Sequence, residues 1–60
     1  MGLIEKRIYE LEGVIDELHI KLNDPNYIEL KKLLYRRLQH NKSLLEVNRQ
    51  LKELVEGENG

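Results

Sequence analysis

Residues 18–34 read LHIKLNDPNYIELKKLL, and Asn23-Asp24-Pro25 within them decides the fold. Apolar residues recur at helical spacing on both sides of this triplet. Asn tolerates the left-handed conformation that closes a helix. Asp is a good N-cap, and Pro suits the first helical position, where its missing N–H costs nothing. A single helix running through Pro25 would cost ~3 kcal/mol. The triplet therefore predicts a turn over 23–25 between two helices. A link that short lays the helices antiparallel and side by side.

Toward the N-terminus, Ile4, Ile8, Leu11, Ile15, Leu18 and Leu22 follow one another at alternating spacings of four and three. This is a heptad seam, with Ile8, Ile15 and Leu22 at a and Ile4, Leu11 and Leu18 at d. It predicts a first helix over about 3–22. Gly13 falls at an outer f position, where it costs up to ~1 kcal/mol relative to Ala. It is either simply tolerated there or lets another helix approach closely.

Toward the C-terminus, Tyr27, Leu30, Leu34, Leu38, Leu44, Leu45, Leu51 and Val55 read as one apolar stripe on a longer helix over about 25–56. At ~1.5 Å per residue it is roughly 45 Å long. Residues 57–60 carry no apolar side chain and are expected to fray. Asn41 and Asn48 interrupt the stripe one heptad apart. An Asn in a coiled-coil seam lowers stability but penalises wrong registers, because its amide needs a partner. The two are therefore expected to pair with Asn or backbone across a two-fold axis and so set the register of an assembly.

With a turn at 23–25, residues whose numbers add to 48 or 49 should lie level. Leu18 then faces Leu30, Ile15 faces Leu34, Leu11 faces Leu38, and Ile4 faces Leu44 and Leu45. Leu51, Leu54 and Val55 project past the start of the first helix. A weaker outer stripe joins Tyr9, Gly13 and Ile20 on the first helix, with Ile28 and Tyr35 on the second. The uncovered end and this outer stripe together argue against a monomer. The expected fold class is all-α: a coiled-coil-like antiparallel two-helix hairpin that assembles into a helical bundle.

Composition agrees. Sixty residues make one domain at most, spanning 1–60, and such a chain buries only ~60% of its unfolded surface. Cys, Phe and Trp are absent, so disulfides and thiolate zinc sites are excluded and the core must be built from Leu, Ile, Val and a few Tyr. Abundant Leu, Glu and Lys with scarce Gly and Pro is the composition of long helices. A net charge of −1 gives no global field toward nucleic acid or an acidic membrane. Charges run through the first twenty residues, so they form neither a signal peptide nor a membrane span. Lys6 stands where a myristoylation motif wants Ser or Thr. The chain is expected to be cytoplasmic.

No catalytic set is present. Ser43 is the only Ser, there is no Gly-rich phosphate loop, and His19 and His40 are placed about ten residues out of level by the pairing rule, too far to share a metal. No enzymatic activity, cofactor or metal is therefore expected. From Leu30 to Leu45 the chain holds Lys31, Lys32, Arg36, Arg37 and Lys42 with His40 and no acid, against a first helix rich in Glu and Asp. By the pairing rule Asp16 meets Lys32, Glu12 meets Arg36 and Glu5 comes beside Lys42, so the basic stretch mainly neutralises its neighbour. The lower-ranked reading makes Lys31, Lys32, Tyr35 and Lys42 a phosphate-tracking patch with an aromatic for stacking.

Leu22-Asn23-Asp24-Pro25 before a leucine-rich helix is similar to the turn of the small sporulation phosphatase hairpins. Their Ser-Gln-Glu-Leu-Asp motif is replaced here by Ile28-Glu29-Leu30-Lys31-Lys32, so their activity does not carry over. The function expected from the residues is protein–protein interaction. The chain would associate with itself and bind a partner protein as a regulator or assembly factor, with Tyr9, Gly13, Ile20, Asn41, Asn48, Leu51, Leu54 and Val55 at the interface. The alternatives are a nucleic-acid-binding hairpin using 31–42 and a structural arm of a larger protein.

Overall fold

The computed structural model describes residues 2–59; Met1 and Gly60, the ends of the expected domain, lie outside them. Helix α1 spans Leu3–Leu22 and helix α2 spans Lys31–Asn59, joined through a 3-10 helix over Pro25–Leu30. The two α-helices pack antiparallel as an all-α hairpin measuring 47 × 18 × 13 Å. The core is a single row of buried side chains, Leu11, Ile15 and Leu18 from α1 against Leu38 and Leu45 from α2. Ile8, Leu22, Leu34 and Leu44 flank it, half-buried. Every α1 residue in this cluster belongs to the heptad seam.

The turn uses the expected residues but a different conformation. Asp24 caps the segment that follows, its Oδ1 accepting from the Asn26 N–H at 2.9 Å, with Pro25 in the first turn. Asn23 is not left-handed: at φ −92° and ψ −3° it stays on the right-handed side. It closes α1 by donating, from Nδ2 to the His19 carbonyl at 3.0 Å and from its N–H toward His19 and Ile20. Side-chain bonding supplies what a left-handed residue would otherwise have to.

Residues 25–30 are not the start of the long helix. They form a 3-10 segment broken at Tyr27, with φ −107° and ψ 15°. Six residues at ~2.0 Å rise cover roughly 12 Å, somewhat more than the ~8–10 Å between packed helix axes. The segment thus acts as a cross-piece between the arms. Tyr27, half-buried, faces back to α1, where the Lys21 ammonium sits 5.9 Å from its ring centroid, within cation–π range.

This cross-piece overturns the pairing rule. Glu12 meets Arg49 at 3.6 Å, not Arg36. Leu30, expected opposite Leu18, is exposed and outside the core. Lys52, Val55 and Glu56 line a hollow with Gly2, Leu3, Ile4 and Glu5, so residue 55 lies alongside the start of α1 and does not project past it. Part of the shift is the lean of helical side chains toward their own N-termini, which in an antiparallel pair brings Glu12 and Arg49 together from either side. The rest is chain used in crossing. At the far end α2 continues to Asn59, where fraying after Val55 was expected.

Candidate functional site

The candidate site is the surface that the hairpin leaves uncovered. On α1, Tyr9 and Ile20 are 75% and 69% exposed. Gly13 lies between them, and a Cβ there would meet nothing within 4 Å. No helix of the same chain approaches it, so the glycine is not required by intrachain packing. The outer stripe of α1 is therefore real but thin: two large apolar side chains on an otherwise charged face.

The larger uncovered surface is on α2, and the single stripe read from the sequence resolves there into two. Leu34, Leu38, Asn41, Leu45, Asn48, Lys52 and Val55 follow at spacings of four and three, and this series faces α1. Leu30, Leu33, Arg37, His40, Leu44, Val47, Leu51 and Leu54 follow at spacings of three and four. Shifted by one residue, the second series is turned ~100° around the helix from the first. Leu33, Val47 and Leu54 are 63%, 51% and 64% exposed, Leu30 and Leu51 are exposed, and Leu44 is half-buried on the border between the two. The sequence reading missed Leu33 and Val47. Their signal was present, but one assumed stripe had mixed members of both seams.

Of the expected interface residues, then, Leu51 and Leu54 lie on the outer seam while Val55, itself exposed, borders α1. Asn41 and Asn48 lie in the α1-facing seam, half-buried. Each donates from Nδ2 to the carbonyl four residues earlier, Asn41 to Arg37 at 2.7 Å and Asn48 to Leu44 at 2.8 Å. Within the single hairpin the partner of each amide is backbone of its own helix. Ser43 makes the same bond to the Gln39 carbonyl at 3.1 Å.

The electrostatic expectation also changes. Among the described residues the ion pairs are Arg49 with Glu12 and Lys52 with Glu56. Asp16–Lys32, Glu12–Arg36 and an acidic neighbour for Lys42 are not formed. Lys31, Lys32 and Tyr35 line one shallow hollow with Ile28, Glu29 and Arg36. Lys42 does not line it, although it follows Tyr35 by one heptad on the same face. The shifted register also shortens the offset between His19 and His40. Both are exposed, and no group of three potential metal ligands gathers among the described residues. No helix formed by the described residues is long and apolar enough to cross a membrane.

No protein-family model, curated protein or solved structure matches this chain.

Proposed function

We propose that this chain is a small non-enzymatic interaction protein that associates with itself and, in that assembled form, binds a partner protein as a regulator or assembly factor. The supporting observation is the second apolar seam of α2, which the hairpin does not cover. Fully burying a Leu or Val side chain stabilises by ~1.5–3 kcal/mol, and a hairpin with five buried side chains among the described residues has much to gain from each. Light scattering from micromolar to millimolar concentration is expected to show a mass above that of one chain, and melting temperature should rise with protein concentration. A folded monomer throughout that range, with an invariant melting point, would sink the reading. On this reading the chain acts in the cytoplasm.

A second reading, a nucleic-acid-binding hairpin, is favoured by one observation: Lys31, Lys32, Tyr35 and Arg36 cluster around one hollow and, although Glu29 also lines it, form no ion pair among the described residues. We still rank it second, because the net charge is −1. Labelled RNA and DNA titrated at ~0.15 M salt are expected to bind weakly at most, with a steep salt dependence. Submicromolar affinity that disappears when Lys31, Lys32 and Lys42 are all changed to Ala would reverse the order of the two readings.

A further inference from the structure

The outer seam of α2 has a pattern that names its occupant. We infer that it is covered by the same seam of a second copy, running antiparallel about a two-fold axis near residue 42. The inference rests on the chain being self-associating, as proposed above, and adds which face meets which and in what direction.

The first argument is layer matching. Within α2, reversal about residue 42 sets Leu33 against the second copy's Leu51, and it sets Leu30, the last residue of the cross-piece, against its Leu54. Arg37 then meets Val47, and His40 meets Leu44. Each a position faces a d position, as antiparallel helix pairs require, and no layer places two charged side chains together. A parallel pairing would stack Arg37 on Arg37 and His40 on His40 in the middle of an apolar seam. The like charges of the Arg37 layer, with a second polar layer at His40, act against that arrangement.

The second argument is charge order along the flank of α2 that points away from α1. In sequence this flank carries Lys32 and Arg36 first and Glu46 and Glu53 last. None of the four has an intrachain ion-pair partner among the described residues. Reversal brings the basic end of one copy beside the acidic end of the other, twice by symmetry. Glu29, the one acid at the basic end, shares its hollow with Lys31, Lys32 and Arg36, which outnumber it. Parallel pairing would place the two flanks on opposite sides of the pair, where they make no such contacts. The two shallow hollows on this flank, one lined by Lys32 and Arg36 and the other by Gln50, Glu53 and Leu54, come together in the antiparallel pair.

The third argument comes from α1. Shifting its seam by one residue either way gives Leu3, Arg7, Glu10, Val14, Glu17 and Lys21, or Glu5, Tyr9, Glu12, Asp16 and His19. Both series are mostly charged or polar. Only α2 is apolar on two faces, so the contact between copies is α2 against α2, with α1 outside.

The test uses sedimentation, circular dichroism and spin-label distances on the whole chain, which has no native cysteine to interfere. Leu33→Gln with Leu54→Gln alters two side chains that are mostly exposed in the single hairpin. This variant is expected to keep its helix content and to raise the dissociation constant of the dimer at least tenfold. His40→Leu, which makes a polar seam position apolar, is expected to lower it at least tenfold. Tyr9→Gln with Ile20→Gln should leave it unchanged. Nitroxides on Ser43→Cys are expected at close range. On Lys32→Cys they should lie about 30 Å further apart along the axis, from twenty residues of offset at ~1.5 Å each. Equally short distances at both sites would mean a parallel pair and overturn the inference. An oligomer insensitive to Leu33→Gln with Leu54→Gln, or one broken by the α1 variant, would overturn it while leaving self-association intact. A wild-type chain that stays monomeric would remove both.

Discussion

A Leu38→Ala chain is expected to be mostly unfolded at 25 °C. Leu38 is the most buried of the described residues, 3% exposed, and it joins Leu11, Ile15 and Leu18 of α1 to Leu45 of its own helix. Truncating a buried Leu costs ~2–5 kcal/mol through lost transfer energy and the cavity left behind. At ~0.05–0.15 kcal/mol per residue, a domain of this length has only roughly 3–9 kcal/mol in all. A core one side chain deep has no second layer to collapse into the gap, so the cost should fall in the upper half of the range. Urea or thermal unfolding followed by circular dichroism measures it, with Tyr9→Ala, on an exposed side chain, as a control within ~0.5 kcal/mol of wild type. A Leu38→Ala chain that melts within a few degrees of wild type would place the core elsewhere than between these two helices.

The Asn41→Leu, Asn48→Leu chain is expected to move the other way, melting roughly 10 °C higher, since ~1 kcal/mol shifts the midpoint of so small a domain by ~4–8 °C. Both side chains are half-buried in the seam that faces α1, and each amide bonds only to a carbonyl of its own helix. Such local back-bonding slightly weakens a helix rather than strengthening it. Leu at both positions makes the α1-facing seam a continuous apolar stripe, which a helix of another copy can then cover in place of α1. The variant should therefore populate more than one oligomeric state in native mass spectrometry. A less stable variant with a single stoichiometry would mean the amides make stabilising bonds and do not select among assemblies. Greater stability with unchanged stoichiometry would mean that the shape of the apolar seams sets the assembly and the Asn residues do not.

Much of this protein is determined by local sequence. The α1 seam from Ile4 to Leu22 needs only the period of an α-helix, and three of its members, Leu11, Ile15 and Leu18, are the buried α1 half of the core. Asp24 and Pro25 begin a new segment through a cap and a fixed φ, interactions that span two residues. The hairpin follows from these alone. The facing register does not, because it depends on how many residues the chain spends crossing from one axis to the next. Whether Pro25–Leu30 would be α-helical or 3-10 is decided by that span and by where Tyr27 can pack, neither of which is encoded in periodicity. An error of a few residues there separated Glu12 from Arg49 and left Val55 projecting into solvent on paper. The same holds for the two seams of α2. Apolar residues on adjacent positions, such as Leu33 with Leu34 and Leu44 with Leu45, belong to different faces 100° apart. Only the position of α1 shows which face is core and which is left uncovered.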